Sequence, residues 1–290
     1  MPFGSLSRRG LDNAEGAADA MLHAAMLDPQ RHVIAVGGGA RLAVDGGRLA
    51  DVRDADLAEH VLVWLGVDER SEHWVAAIGF DGDEPGFEWS EARELAVTLS
   101  SDEAAIAVQA LALATWHRDH SFSPVDGSPT RVVHAGWTRE DSSGRQHFPR
   151  TDPAVIVAVL DRSGDRLLLA NNSAWPERRY SLVAGFVDPG ESLESAVARE
   201  ALEEVGLKLT AIEYVSSQPW PYPRSLMVGF SAVAERAEDL EPDGIEIRDA
   251  RWLTRDDIRN GVVDLPGRGS IARTIIERWL DGDLSAVSQR

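Results

Sequence analysis

Short apolar runs separated by glycine- and aspartate-rich breaks fill the stretch from residue 31 to 80, at positions 33–36, 42–44, 61–65 and 74–78. Runs of this length bounded by turn formers predict strands, so the stretch reads as a small β-rich unit. Gly37, Gly38 and Gly39 lack the Lys-Ser/Thr that follows the glycines of a phosphate-binding loop, and are expected to form a turn. From Ser90 to about His117 the pattern predicts two helical segments meeting near Ser100 and Ser101. The second, residues 102–116, is rich in Ala, Leu and Ile, as a packed helix is. Residues 118–150 scatter Gly, Pro and Ser without a period and read as a linker. Residues 154–160 and 166–170 then predict two strands around a Ser163-Gly164-Asp165 turn, with further strands near 211–217 and 227–235. A last helix is expected from about Ser270 to Leu280. Strands and helices in this order make an α+β protein, divided at 1–117, 118–150 and 151–290.

Composition narrows the partners. The 290 residues suffice for two domains with their own cores, and 43% hydrophobic with 27% charged residues is ordinary for a soluble globular chain. The formal net charge of −19 weighs against broad binding to nucleic acid backbones. It also makes a polyanionic substrate unwelcome until divalent cations neutralise the site. The absence of cysteine excludes a disulfide scaffold. Arg8-Arg9 suggests a twin-arginine signal, but Asp12, Glu15 and Asp19 interrupt any apolar segment behind it. No apolar run of about 18 residues occurs, so no membrane partner and a cytoplasmic location are expected.

Residues 185–207 read GFVDPGESLESAVAREALEEVGL and concentrate the chemistry. At about 100° per residue, Glu200, Glu203 and Glu204 fall within an arc of roughly 100° on a helix. Three carboxylates on one face repel each other, and oxygen-preferring divalent cations relieve that repulsion. Arg199 is placed to orient one glutamate by a bidentate pair. Gly185 and Gly190 permit a tight loop into the helix, and Gly206 suits the C′ position that ends it. The spacing of Gly185, Glu191, Arg199, Glu200, Glu203, Glu204 and Gly206 matches the Nudix signature, with Ala201 a small residue in the first apolar slot. The chain therefore resembles the Nudix hydrolases. That resemblance implies an α/β/α sandwich for residues 151–290.

A second motif follows at 217–225, SQPWPYPRS. Three prolines in five positions rule out a regular helix or a central strand and predict a stiff loop carrying Trp220 and Tyr222. A rigid aromatic loop beside a metal-carboxylate site is suited to holding a planar base or ring. With the signature, it resembles the NADH pyrophosphatase (NudC) branch of the family, Tyr222 standing where Phe is usual. The segment His147-Phe148-Pro149-Arg150-Thr151-Asp152-Pro153 resembles the opening of that branch's catalytic domain. Residues 270–273 resemble a segment lining its substrate pocket.

The resemblance implies a β-rich Nudix-like domain in the amino-terminal part and Mg²⁺ or Mn²⁺ at two or more sites. Glu200, Glu203, Glu204, Glu246 and Ala184 are implied metal ligands. It also implies that Phe186 stacks on the nicotinamide, aided by the ring at the Phe148 position of a partner subunit in a homodimer. Gln218, Trp220, Tyr222, Ser225 and Ala272 complete the substrate pocket it implies. One feature departs from the branch, which carries a four-cysteine zinc ribbon between its halves. Residues 122–129 keep the ribbon's outline, with Ser123 and Asp126 at the first cysteine pair and Glu140 and Ser143 near the second. Serine hydroxyls are poor zinc ligands, and His117, His120, His134 and His147 fit no standard zinc spacing. A ribbon-like linker held without zinc by packing around Trp137 is expected.

The function expected is hydrolysis of the pyrophosphate of NADH or NAD⁺ to AMP and nicotinamide mononucleotide, together with removal of NAD caps from RNA 5′ ends. Arg199 and the glutamates supply the catalytic set, with Glu203 or Glu246 as the base. An ADP-ribose or dinucleoside pyrophosphatase is the alternative on the same helix. A non-catalytic NAD-binding regulator is the other, against which the complete glutamate set argues.

Overall fold

The computed structural model describes residues 6–8, 17–84, 86–95 and 98–284. Arg9, Asp12 and Glu15, used in reading the amino terminus, lie outside the described residues, as do residues 96 and 97 of the first expected helix. The chain divides into two compact units, Met1–Arg150 with Pro221–Arg224, and Thr151–Trp220 with Ser225–Arg290. Among the described residues no helix is long and apolar enough to cross a membrane.

In the first unit the apolar runs do form strands. Its elements are α1 (Ala17–Leu27), β1 (His32–Gly37), β2 (Arg41–Asp45), β3 (Arg48–Leu49), β4 (Val61–Val67), β5 (His73–Phe80), β6 (Glu88–Glu91), α2 (Ala92–Leu95) and α3 (Ser101–Asp119). The sheet order is β3-β2-β1-β5-β4, with β6 paired to β2, and β1 runs parallel to β5. Successive side chains of β1 face opposite ways. Ile34 and Val36 join Ile106, Ala110 and Leu111 of α3 in one core, while Val33 and Ala35 join Ala18 and Ala25 of α1 in another. Helix α1 had no strong sequence signal, because its buried contribution is those two alanines. Helix α3 starts where Ser100 and Glu103 form a capping box. The first expected helix shrinks to α2, since Ser90 and Glu91 pair with Leu42 and Arg41 as part of β6. Gly38 and Gly39 turn the chain as expected, whereas Gly37 still belongs to β1, where a Cβ would approach Gly82 Cα to 2.6 Å.

The linker is more ordered than its composition suggests. β7 (Arg131–Val133), β8 (Thr138–Glu140) and β9 (Gln146–His147) form a three-stranded antiparallel sheet. Trp137 donates its indole N–H to the Trp64 carbonyl at 2.8 Å, beneath the Arg8 guanidinium at 4.3 Å. A second fastening was not foreseen. The fully buried Asp141 carboxylate accepts from Ser123 Oγ (3.1 Å), Ser143 Oγ (2.6 Å), the backbone N–H groups of Ser143 and Arg145 (3.0 Å each) and His147 Nε2 (3.1 Å). These bonds hold its pKa far below the usual carboxylate range, the Ser143 hydroxyl contributing most. Two of the residues at lost cysteine positions, Ser123 and Ser143, thus meet on one carboxylate. Glu140 instead pairs with Arg131, and Asp126 closes a turn on Ser128. The four histidines have separate partners. His117 bonds Gly136 O and Arg139, His120 bonds Trp116 O, and His134 bonds Gln146.

The second unit comprises β10 (Asp152–Leu160), β11 (Arg166–Asn172), β12 (Val183–Phe186), α4 (Leu193–Val205), β13 (Leu209–Trp220), β14 (Ser225–Ala234), β15 (Ile247–Thr254), α5 (Arg255–Arg259) and α6 (Ile271–Leu280). Its sheet order is β13-β14-β10-β11-β15, with β12 antiparallel to β10 and β14 parallel to it. Val155, Val157 and Val159 pack with Ala196, Val197 and Val205 of α4, while Ile156, Ala158 and Leu160 pack with Ile275, Ile276 and Trp279 of α6. The layers are α4, sheet and α6, which is the α/β/α sandwich expected. The proline motif corrects one expectation. Ser217, Gln218, Pro219 and Trp220 continue β13 opposite Val228, Met227, Leu226 and Ser225, and the turn is only Pro221–Arg224. β13 lies at the sheet edge, where a missing N–H costs no ladder bond.

Candidate active site

The site is built where β12 meets α4. Ser192 caps the helix by accepting from Ser195 N, and Gly206 ends it in the left-handed region at φ 71°. Ala196, Val197 and Ala201 are buried and small, so α4 lies close against the sheet. Gly185 is therefore needed for a reason other than the loop flexibility expected. It lies inside β12 opposite Val155, and a Cβ there would collide with the Glu200 carboxylate. Gly190, at φ 89°, is the residue that turns the loop.

Arg199 gathers the acidic groups. Its guanidinium donates twice to Glu191, from Nε (3.0 Å) and Nη2 (2.9 Å), and Nη1 reaches Glu200 (2.8 Å) and Glu203 (3.1 Å). Nη2 also donates to the Phe186 carbonyl at 2.9 Å. Glu191 first, then Glu200 and Glu203, raise the arginine's pKa, and Arg199 in turn lowers that of Glu191. Glu200 goes the other way, since its burial outweighs the Arg199 contact and raises its pKa.

Glu204 is in a different situation. It is 6% exposed, and among the described residues its carboxylate has neither a cationic partner nor a hydrogen-bond donor. Burial, then the charges of Glu246, Glu200, Asp243 and Glu203, push its pKa up to about 8. Glu246 immediately precedes β15, its carboxylate accepting from Asn172 Nδ2 at 3.2 Å. Asp243 shapes this loop by accepting from the N–H groups of Ile245, Glu246 and Ile247, and its own N–H bonds Glu204 O. Glu200, Glu203, Glu204, Glu246 and Arg199 are thus brought together.

Sequence reasoning missed Asp243 and Asn172. The Asp243-Gly244 pair was a readable turn signal, whereas nothing marked Asn172.

The donor set fits a divalent cation, being all oxygen and carrying a buried carboxylate that repels its neighbours. Among the described residues no three acidic or histidine side chains already form a cage. Arg199 lies across Glu200 and Glu203 instead.

The pocket residues are distributed unevenly. Ala184 of β12 pairs with Ile156 of β10 and packs against the core cluster that holds Ala272 of α6. Gln218 spends both ends of its amide at the entry to that helix, on Gly269 O (2.8 Å) and Ile271 N (2.6 Å). Trp220 closes β13 opposite buried Ser225. Phe186 is 58% exposed beside Arg199. Tyr222 and Phe148 fall in the first unit, where the Tyr222 ring lies 4.4 Å beneath Arg93 and against the α3-side core, and Phe148 is 62% exposed.

Comparison with known proteins places this geometry. Residues 150–277 match the NUDIX domain family, and residues 20–116 match the NADH pyrophosphatase-like rudimentary NUDIX domain. The NAD-capped RNA hydrolases NudC of Mycobacterium bovis (strain BCG / Pasteur 1173P2) and Mycobacterium tuberculosis (strain ATCC 25618 / H37Rv) are each 40% identical to this chain over 295 residues, 94% of either length. The NAD-capped RNA hydrolase NUDT12 of Homo sapiens is 35% identical over 198 residues, 63% of this chain and 43% of that protein. The chain therefore belongs to the Nudix hydrolase family, with a rudimentary NADH pyrophosphatase-like domain ahead of the Nudix domain.

Proposed function

We propose that the protein hydrolyses the pyrophosphate of NADH and NAD⁺ to AMP and nicotinamide mononucleotide, and removes NAD caps from RNA 5′ ends. The observation that carries this reading is the 40% identity over 94% of both chains with enzymes named for NAD-capped RNA hydrolysis. Residues 151–290 form the proposed catalytic domain. Glu200, Glu203, Glu204 and Glu246 hold Mg²⁺ or Mn²⁺, with the Ala184 carbonyl as a further ligand. When bound, these ions supply charge neutralisation on the pyrophosphate and a lowered pKa for the attacking water. Arg199 fixes Glu200 and Glu203 in place, and Glu203 or Glu246 takes the proton. Phe186 offers an exposed ring to the nicotinamide, beside a guanidinium that holds its backbone.

A homodimer and a cytoplasmic location belong to the same proposal. Phe122, Val125 and Phe148, each more than half exposed, support a second copy as the partner of the linker.

The test is to incubate the protein with Mg²⁺ or Mn²⁺ and NADH, ADP-ribose or a short NAD-capped RNA, and to resolve the products. AMP with reduced nicotinamide mononucleotide, formed faster than ADP-ribose is cleaved, is the expected result. Faster cleavage of ADP-ribose would overturn the substrate assignment, and no turnover would overturn the enzyme.

A further inference from the structure

We propose that the loop of residues 172–180, with Arg248, receives the phosphodiester chain of a capped RNA beside the catalytic carboxylates. The inference rests on the proposed function and names where the rest of that substrate lies.

A chain of net charge −19 offers a polyanion few places to settle. Four arginines gather around this loop. Arg251 is paired with Asp249 at 2.6 Å, and Arg178 lies 3.5 Å from Asp264. Arg179 and Arg248 are exposed and make no ion pair among the described residues. The Arg179 guanidinium lies 5.3 Å from the centre of the Trp175 ring, and Arg248 Nη2 donates to the carbonyls of Ser173 (2.5 Å) and Trp175 (3.2 Å), which leaves its other N–H groups to a ligand. Two guanidinium groups without a carboxylate partner, one over the indole and one on the backbone beside it, suit phosphate oxygens and a stacked base. The loop's one acidic residue is Glu177.

The loop is also built rather than loose. Buried Asn171 donates through Nδ2 to Pro176 O (2.9 Å) and Arg179 O (2.7 Å), and Trp175 N bonds Asn172 O (2.9 Å). Its near end is fastened to the residue proposed as ligand or base. Asn172 Nδ2 bonds the Glu246 carboxylate, Ser173 N bonds Glu246 O (2.8 Å), and Ser173 Oγ bonds Ile245 O (2.8 Å). A free dinucleotide brings two phosphates, which the carboxylate cluster and its cations take up. A capped RNA continues from the adenosine with further phosphates, and the guanidinium groups beside Glu246 are placed for them.

The experiment compares kcat/KM for NADH and for an NAD-capped RNA of about 20 nucleotides in the wild type, Arg179→Glu and Arg179→Lys, over a range of salt. Arg179→Glu should lower the capped-RNA value about 10-fold and flatten its salt dependence by roughly one charge, with NADH turnover within about 2-fold of wild type. Arg179→Lys should keep most of the RNA activity. Equal losses on both substrates would mean that the loop acts only by supporting Glu246, and an unchanged RNA rate would also overturn the proposal. Anisotropy of a labelled capped RNA, read without turnover, separates the two readings. Cleavage of neither substrate by the wild type sinks the activity, whereas equal RNA binding by wild type and Arg179→Glu sinks the surface.

Discussion

Glu204 gives the sharpest prediction, because it sets folding against metal binding. Its carboxyl holds a proton up to about pH 8 in the folded chain, against an ordinary value of 4.5. Between those values the folded state binds more protons than the unfolded state, so this group makes stability fall as pH rises through the window. At pH 7, which is 2.5 above the ordinary value of 4.5 and still below the folded one, this proton uptake corresponds to about 3 kcal/mol, and at 6% exposure solvent screens little of it. Glu204→Gln keeps the size and polarity of the protonated acid and removes the titration. In EDTA at pH 7 the variant should melt roughly 6–10 °C above wild type, with the gap closing toward pH 5 and widening toward pH 8. Millimolar Mg²⁺ should then raise the wild-type melting temperature and leave the variant nearly unmoved, since a ligand stabilises only the form that binds it. Thermal melts followed by circular dichroism, with and without metal, read all of this. Parallel curves for the two proteins from pH 5 to 8 would refute the account of a buried, uncompensated carboxylate.

Three further substitutions probe the neighbouring parts. Glu203→Gln should lower kcat on NADH by about 10²-fold or more with an unchanged melting temperature, and near-normal turnover would remove Glu203 from the metal helix. Gly185→Ala puts a methyl group where the Glu200 carboxylate lies. It should cost roughly 1–3 kcal/mol by denaturant titration and at least about 10-fold in kcat, and a neutral result would contradict the close approach of β12 and α4. Asp141→Ala leaves the Ser123 and Ser143 hydroxyls without their shared acceptor. Limited proteolysis should then cut within residues 118–150 while 151–290 stays intact, and resistance equal to wild type would show that the Trp137 packing suffices alone.

The glutamate helix was legible because the spacing of its carboxylates and a terminal glycine both wrote the same element into Leu193–Val205, whereas its Ser192 cap came only with the structure. The buried central strands of both sheets were legible for a related reason, since continuous burial requires continuous apolar runs such as residues 154–160. What escaped depends on long-range pairing. β6 and β15 are short or alternating segments that become strands only against β2 and β11. The proline motif read as a loop because proline argues against a strand in general, and only its place at the edge lets the strand persist through Trp220. Asn172 acts on Glu246 across 74 positions, which no local pattern encodes. Gly185 was singled out correctly for the wrong physical reason, since its neighbour Glu200 is brought by the fold and not by the chain.

The Asp141 clasp has a consequence for how the linker comes to be folded. A metal-held knuckle is assembled only when the cell supplies the ion, and it comes apart when thiols are oxidised or a chelator competes. A carboxylate ringed by two serine hydroxyls, two backbone N–H groups and a histidine carries its own fastening within the chain. Its weak point is acid rather than metal starvation or oxidants. With a pKa held far below the usual range, the clasp loosens only where acid protonates that carboxylate. Every group of the clasp is made with the chain itself, so closing it calls for no delivered ion.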